Sequence, residues 1–187
     1  QEILEKRHLR FVGSGSKASK LGMNKVLAKE VWEKAGLPTP PWQVLKKGDE
    51  LKLNAPCVVK PLDSGSSIGV FVCKTRATAI EAIKLLLKKH DRVLVEKFIR
   101  GPELTVGLLE EKALAPMRIV SKRKFFDYKA KYQDNQTQHL FDTGLTKKVV
   151  ERCRELAQKA NKALGAIDLG RIDIMIDEQY NPWLLEI

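Results

Sequence analysis

Two apolar runs on either side of a loop rich in glycine and serine constrain the fold of this chain more than any other feature of its sequence. The runs are CVVK, residues 57–60, and IGVFVC, residues 68–73. Apolar and β-branched residues bounded by turn residues are typical of strands. We therefore predict two adjacent antiparallel strands joined by the loop, with Lys60 beside backbone that no large side chain shields.

The loop has a composition that suits anion binding. Glycine and serine let backbone N–H groups approach an anion closely, and Lys60 adds a positive charge at the rim. In a Walker loop the lysine follows the glycines and precedes a helix, whereas here the lysine comes first and a strand follows. This order favours a hairpin that covers phosphates. A flexible β-turn with an incidental lysine remains the alternative on this pattern alone.

A second glycine pattern, GSGSKA from Gly13, has the form of a dinucleotide-binding fingerprint. The strand expected before it is short, and no acidic residue follows at the end of a second parallel strand, as the Rossmann fold requires. We therefore interpret this stretch as a linker.

The remaining elements mix helices with antiparallel strands. A helix is predicted over 18–35, ending at Gly36, and another from Thr78, with Glu81 completing a capping box. Their expected buried residues include Trp32 in the first helix, Ile80, Ile83 and Leu87 in the second, and Val149, Cys153, Leu156 and Ala160 in a third. Strands are predicted at RVLVEKF, ELTVGLL, residues 113–120, RIDIMID and PWLLEI. This order indicates an α+β protein.

The last two predicted strands supply two opposed carboxylates. If residues 178–181 form the turn, residue 177 faces 182 and Asp173 faces Glu186. Directly opposed Cβ atoms lie only ~4.5–5.5 Å apart, so the carboxylates repel unless one is protonated or a cation lies between them. Oxygen ligands alone suit Mg²⁺ bridging to phosphates. A slipped register with both acids solvated is the alternative.

Further charged residues lie at strand ends. Arg171 is two residues before Asp173 on the same face and could stabilise charge developing on a phosphoryl or tetrahedral centre. Glu96, Lys97 and Glu103 are either solvated edges or the polar rim of a purine and its ribose.

The charge and composition limit the function classes. The net charge of +11 favours a polyanionic partner, either nucleic acid or a nucleoside triphosphate. The alternative is that the chain is a fragment whose acidic segments are missing. Three cysteines and three histidines are scattered, so we expect reduced cytosolic thiols and no zinc site. No apolar run approaches the ~18 residues of a membrane span. The chain opens without methionine and closes within a predicted strand, so we expect a piece of a longer protein.

The motifs KLGMNK, VVKPLDSGSSIGV, VLVEKFIRGPELTV, DYKAKY, GRIDIMID and WLLEI occur in this order over nearly the whole chain. They resemble the D-alanine–D-alanine ligases of the ATP-grasp superfamily. The resemblance implies two α+β subdomains with antiparallel sheets clasping a nucleotide, over residues 18–97 and 98–187, the latter truncated. Residues 1–17 would be the remnant and linker of a missing N-terminal domain.

The family's chemistry is an ATP-dependent ligation for peptidoglycan synthesis. ATP phosphorylates the carboxylate of one D-alanine, the amine of a second attacks the acyl phosphate, and phosphate leaves. The resemblance implies Mg²⁺ or Mn²⁺, a cytoplasmic homodimer, and no nucleic-acid or membrane partner.

The resemblance also implies roles for individual residues. Phosphate contacts would come from Lys25, Lys60 and Lys131, and the covering loop carries Ser66 and Ser67. Glu96, Lys97 and Ile99 would line the adenine pocket, mostly through backbone groups, and Glu103 would bind the ribose. Ser66 and Tyr132 would close the mobile loop over the second substrate, Arg171 would hold the acyl phosphate and the tetrahedral intermediate, and Asp173 and Glu186 would bind the metal.

Several departures bear on activity. Family members often carry glutamate in place of Ser64, and the metal motif continues to an asparagine at position 188, one residue past Ile187. We therefore expect the fragment alone to be inactive and the parent protein to be active. By the same resemblance, Tyr132 favours D-alanine over D-lactate as the second substrate.

Three alternative functions are consistent with parts of the sequence. The first is another ATP-grasp ligase that joins a different carboxylate to a different amine. The second is a nucleic-acid binder that uses the basic aromatic segment KRKFFDYKAKY, within the long polar stretch 121–145 predicted to be a lid or disordered. The third is a fragment that binds ATP without catalysis.

Overall fold

A computed structural model describes residues 1–65, 67–121 and 137–187. Three predicted site residues, Ser66, Lys131 and Tyr132, lie outside the described residues, as does most of the stretch predicted to be a lid. The chain divides into two compact units. The first unit comprises residues 1–39, 100–120 and 139–187, and the second comprises residues 40–99 and 121–138.

The described helices and strands occur in runs along the chain, beginning with three helices and then three strands, as is typical of an α+β protein. The helices are α1 (Glu2–Lys6), α2 (Ser16–Met23), α3 (Lys25–Lys34), α4 (Arg76–Leu86) and α5 (Lys147–Leu164). The strands are β1 (Trp42–Leu45), β2 (Cys57–Pro61), β3 (Phe71–Cys73), β4 (Val93–Lys97), β5 (Glu103–Leu109), β6 (Lys112–Ala113), β7 (Met117–Ser121), β8 (Thr137–Leu140), β9 (Leu169–Ile176) and β10 (Pro182–Glu186). In the described part of the chain, no helix combines the length and the apolarity needed to cross a lipid bilayer.

The second unit is built on a four-stranded antiparallel sheet in the order β1-β4-β2-β3. The predicted hairpin around the glycine-serine loop is confirmed, because β2 and β3 pair antiparallel with Cys57 opposite Cys73. Helix α4 packs against this hairpin. The core between them is apolar and includes Val59, Ile83 and Val95.

Helix α4 begins before the predicted start. The N-cap is Thr75, whose hydroxyl accepts the backbone N–H of Thr78, and the Thr78 hydroxyl accepts the N–H of Thr75 in return. The predicted capping box from Thr78 to Glu81 was therefore wrong, since a hydroxyl three residues upstream takes the cap. The buried face is shifted accordingly: Ile80 is 37% exposed, and the buried residues are Ala79, Ala82, Ile83 and Leu86.

The first unit is built on a six-stranded sheet, in which every pairing with a described register is antiparallel. Its main path runs β10-β9-β5-β7-β8, and β6 pairs with β5 as well. The predicted strand over residues 113–120 is thus two strands, both paired with β5. Helix α5 packs against the sheet through the predicted apolar face that contains Val149, Cys153, Leu156 and Ala160.

The helix predicted over residues 18–35 is two helices separated at Asn24. Asn24 has extended backbone angles, φ −117° and ψ 110°, so it ends α2. Its side-chain oxygen accepts the N–H groups of Val26 and Leu27 at 3.0 and 3.2 Å and caps α3. The break places Lys25 in the first turn of a new helix, which ends before Gly36 as predicted.

Helices α2 and α3 belong to the first unit. The physical reason is Trp32, which is fully buried in the first unit's core and donates its indole N–H to the carbonyl of Ala160 at 3.2 Å. The subdomain bounds that the resemblance implies, residues 18–97 and 98–187, stay a prediction.

All three cysteines are buried free thiols, in agreement with the predicted reduced state. Burial raises the pKa of Cys153 to about 11. Burial also raises the pKa of Cys73 to about 11, with a smaller contribution from neighbouring Cys57. Thiols with such pKa values carry little thiolate at neutral pH and are poor nucleophiles.

Gly101 lies where the chain enters β5, and its position leaves no room for a side chain. Its φ is +150°, and a Cβ would stand 1.8 Å from the backbone carbonyl oxygen of Ile176 in β9. We expect Gly101→Ala to lower the free energy of unfolding by more than about 3 kcal/mol, measured by urea denaturation, because β9 must move to admit the methyl group. Gly48→Ala is the control: its φ is +95° with open space around it, so it should cost only about 1–2 kcal/mol. Equal costs for the two variants would contradict the steric argument.

Candidate active site

The β9–β10 hairpin brings the two predicted metal ligands, Asp173 and Glu186, together through a strand register that differs from the predicted one. Near the turn, Pro182 pairs with Ile176, one residue away from the predicted pairing of 177 with 182. A bulge between Leu184 and Glu186 then shifts the register by one residue. The predicted pairing of Asp173 with Glu186 is therefore confirmed, although the register predicted at the turn was wrong.

Asp177 organises the turn of this hairpin. Its carboxylate accepts the N–H groups of Gln179 and Asn181 at 2.9 and 2.8 Å, and also the indole N–H of Trp183 at 2.9 Å. Desolvation by burial alone would raise the pKa of this carboxyl, but these donors outweigh it and hold the pKa below its ordinary value of 3.8. Asp177 therefore stabilises the hairpin in its ionised form.

Asp173 is a buried carboxylate, only 2% exposed, with two donors of its own. The Thr105 hydroxyl donates to its Oδ1 at 2.7 Å, and Arg171 donates to both carboxylate oxygens at 3.1 Å. Arg171 was predicted on this face, whereas Thr105 was missed. Thr105 is the β5 residue that pairs directly with Asp173, and this pairing between non-consecutive strands could not be derived from local sequence.

Glu186 lies beside a second predicted site residue. The Nζ of Lys25 is 3.7 Å from its Oε2, and the lysine side chain is only 9% exposed. Glu103 pairs with Met175 of β9 and is two residues before Thr105, so it lies on the same face of β5 as Thr105. The first unit thus gathers Lys25, Glu103, Arg171, Asp173 and Glu186 along one helix end and three adjacent strands.

The donor set fits a hard divalent cation. Asp173 and Glu186 supply carboxylate oxygens only, and among the described residues no cluster of three or more histidine, cysteine or acidic side chains could hold a metal ion by itself. Mg²⁺ commonly binds through one or two carboxylates together with substrate phosphates, so two opposed acids are sufficient for it or for Mn²⁺. They do not meet the four-ligand requirement of structural zinc.

The second unit holds the remaining described candidates on or beside the hairpin and β4. Lys60 forms a 2.5 Å ion pair with Glu96, and both side chains are nearly buried. Lys97 has an exposed side chain, and its backbone N–H donates to the carbonyl of Pro41 at 2.8 Å. Ile99 is buried, and Ser67 in the loop adopts a positive φ of 58°.

Glu96 is therefore not a solvated edge residue, whereas the exposed side chain of Lys97 is. Glu96 is 2% exposed and shares the sheet with Lys60, since β2 and β4 pair. Removing one partner of a buried ion pair is strongly destabilising, because the remaining charge loses its counter-ion in the interior. Lys60, which the sequence pattern alone could not distinguish from an incidental charge, is paired with the Glu96 carboxylate.

We expect Lys60→Met to lower the free energy of unfolding by about 3 kcal/mol, because it leaves the Glu96 carboxylate buried without the lysine. Adding Glu96→Gln should recover part of this loss, which urea denaturation of the single and double variants would measure. The exposed Lys74→Met serves as control and should cost less than about 0.5 kcal/mol. A double variant that is less stable than Lys60→Met would contradict the proposed compensation.

The acid dependence of stability provides a test of Asp177. Its lowered pKa contributes stability that is complete above the ordinary pKa of 3.8 and is lost as the pH falls through the folded-state pKa. Asp177→Asn should therefore lower the free energy of unfolding by about 1 kcal/mol at neutral pH. The difference from wild type should shrink steadily below pH 3.8, as followed by urea denaturation across that range.

The neighbouring Glu178→Gln is the matched control for this measurement. Glu178 is exposed and only 3.8 Å from the exposed Arg100, a surface pair of little energetic value. It should leave the acid dependence as in wild type. A constant difference between Asp177→Asn and wild type at every pH would show that ionisation of Asp177 does not stabilise the turn.

Comparison with known proteins identifies similar sequences. The sequence profile described as "D-ala D-ala ligase C-terminus" matches residues 31–187. D-alanine–D-alanine ligases from Alcanivorax borkumensis and Geotalea uraniireducens are 39% and 35% identical to this chain. Each alignment covers 100% of this chain and 61% and 62% of the relative, respectively, so the chain spans about three fifths of their length.

Solved structures give the same result. A D-alanine–D-alanine ligase from Bacillus anthracis superposes with a TM-score of 0.86 at 31% identity, covering 100% of this chain and 62% of that one. A structure of the Bacillus anthracis ligase complexed with ATP superposes with a TM-score of 0.83 at 25% identity, covering 100% and 61%.

Proposed function

Because this chain belongs to the D-alanine–D-alanine ligase family, we propose that the protein carrying it joins two D-alanines in an ATP-dependent, ADP-forming reaction through an acyl phosphate. The fold is the ATP-grasp fold of that family. The product, D-alanyl-D-alanine, serves peptidoglycan synthesis. The observation that carries the proposal is the pairing of Asp173 with Glu186 across the bulged hairpin, beside Lys25 and Arg171.

The acidic pair is the proposed metal site. Asp173 and Glu186 would hold Mg²⁺ or Mn²⁺ together with phosphate oxygens, and the cation would neutralise charge on the transferring phosphoryl group. Thr105 and Arg171 orient the Asp173 carboxylate, as partners of metal-ligating carboxylates commonly do. The side chain of Arg171 is 55% exposed, so its guanidinium is accessible to an anionic substrate group.

The lysines are the proposed phosphate ligands. Lys25, already beside Glu186, would contact the phosphates in the first unit, and Lys60 would do so in the second unit from its position next to Glu96. Ser67 and the neighbouring glycines of the loop offer backbone N–H groups for the same anion. We further propose that Ser66, Lys131 and Tyr132 act in closing the site.

The nucleoside contacts are proposed for the polar and backbone groups around β4 and β5. Glu96, Lys97 and Ile99 would line the adenine pocket, and the half-buried Glu103 at the start of β5 would accept ribose hydroxyls. Carboxylates bind vicinal hydroxyls through paired hydrogen bonds.

The remaining proposals concern the whole protein. We propose that it acts in the cytoplasm as a homodimer on small-molecule substrates, with no nucleic-acid partner. The buried free thiols support a reducing compartment. A different ATP-grasp ligase is the alternative, and substrate competition between D-alanine and other amino acids distinguishes the two.

The test is phosphate release by the full-length protein that carries this sequence. We expect release from Mg·ATP to require D-alanine, with L-alanine and D-lactate inactive. Asp173→Asn and Glu186→Gln should each lower kcat/KM by about 100-fold or more, because metal-assisted charge neutralisation is lost. Glu178→Gln, on the same hairpin, should retain wild-type activity. Equal activity with D-lactate would refute the assignment of the second substrate, and full activity of both acidic-pair variants would refute the metal site.

A further inference from the structure

Lys29 is a fully buried lysine that the proposed reaction does not use. It lies in α3, one helical turn after Lys25, and its exposed fraction is 0%. Lysine is almost never fully buried unless its ammonium is paired or hydrogen-bonded, because desolvating the charge is costly. Here its Nζ donates to the hydroxyl of Thr39, which is also buried. The position of this cation therefore depends on contacts inside the fold.

Thr39 transmits this contact to β10. Because its hydroxyl oxygen accepts from Lys29, the hydroxyl hydrogen is available to donate, and it donates to the carbonyl oxygen of Leu184 at 3.0 Å. The N–H of Leu184 donates in turn to the carbonyl of Pro38 at 2.9 Å. Both backbone polar groups of Leu184 are thus held by the Pro38–Thr39 segment, and an ammonium at the head of such a chain strengthens the bond that follows it.

Leu184 is the residue at which β10 changes its register with β9. Leu184 pairs with Ile174, and after the bulge Glu186 pairs with Asp173. Without the bulge Glu186 would face Ile172. A one-residue slip moves a side chain to the other face of the sheet, so Glu186 would then point away from Asp173.

We propose that Lys29 is a positioning residue that acts through Thr39 to hold Leu184 at the bulge and thereby keeps Glu186 opposite Asp173. This inference rests on the proposed function only in that the acidic pair is taken to bind a divalent cation. This role requires no contact of Lys29 with substrate or metal. Lys29 instead fixes the backbone of β10 at Leu184, and this backbone positions the proposed metal ligand Glu186.

The spacing along the two elements supports this role. Lys25 and Lys29 are four residues apart, ~6 Å along a helix axis, and Leu184 and Glu186 are two residues apart, ~6.6 Å along a strand. Helix α3 therefore meets β10 at two matched points. At one, Lys25 lies 3.7 Å from Glu186, and at the other Lys29 reaches Leu184 through Thr39.

The test uses four single variants and one double variant of the full-length protein. Lys29→Met removes the ammonium and keeps the length of the side chain, and Thr39→Val removes the hydroxyl and keeps the shape. Thr39→Ser retains the hydroxyl and is the rescue variant. Lys34→Met removes an exposed lysine from the same helix and is the matched control.

Two readouts do not require turnover. The first is the affinity for Mn²⁺ in the presence of a non-hydrolysable ATP analogue, measured by electron paramagnetic resonance. The second is amide hydrogen exchange over residues 183–187 without metal or nucleotide. We expect Lys29→Met and Thr39→Val to weaken Mn²⁺ binding by about tenfold or more and to accelerate exchange of the Leu184 amide by a similar factor. The Lys29→Met/Thr39→Val double variant should bind Mn²⁺ no more weakly than the weaker-binding single variant. Both residues act through the same chain of hydrogen bonds, so their effects should not add.

The outcomes separate the inference from the proposed function. Wild-type Mn²⁺ affinity in both Lys29→Met and Thr39→Val, at a temperature where both are folded, would overturn the inference, as would Thr39→Ser behaving like Thr39→Val. If Lys29→Met does not fold, the comparison of Thr39→Val with Thr39→Ser decides. If the wild-type protein binds no Mn²⁺ with the ATP analogue, the proposed function fails, and unchanged Leu184 exchange in the variants would then separately overturn the support of the bulge.

Discussion

Asp173 and Glu186 are held opposite each other in adjacent antiparallel strands, at a separation where two carboxylates repel. The first unit meets this electrostatic cost with cations and donors drawn from separate elements. Arg171 and Thr105 bind the buried carboxylate, and Lys25 lies beside the more exposed one. The sheet, the helix that carries Lys25 and the bulge are all needed to maintain this arrangement. A cation that accepts both acids as ligands would complete it.

The hairpin that carries the acidic pair is stabilised at both ends. At the turn, Asp177 in its ionised form gathers the donors of Asn181 and Trp183. Near the strand end, Leu184 is bound through its own N–H and carbonyl to the segment before β1. Between these points β9 pairs with both β10 and β5, so its register is fixed from two sides. A strand fixed in this way can hold a charged side chain in a single orientation.

Much of this fold was predictable from local sequence, and the failures have two causes. The Cys57–Cys73 hairpin and the apolar face of α5 follow from short-range periodicity. The start of α4 and the break at Asn24 depend on which side chain caps the backbone N–H groups at the start of a helix. Local sequence offers more than one hydroxyl or amide that could act as the cap. The bulge and the contact from Thr105 to Asp173 depend on pairing between distant strands, which periodicity does not encode. The prediction of the acidic pair was correct because the turn and the bulge depart from the simple register in opposite directions.

The cap at Asn24 also determines how the site responds to change elsewhere in the chain. Because α3 starts from its own capping residue, its angular phase is set locally and does not propagate from α2. Lengthening or shortening the segment upstream would rotate the residues of α2 without rotating those of α3. The segment before position 24 can therefore differ in length among related proteins while Lys25, the first residue of α3, continues to face Glu186.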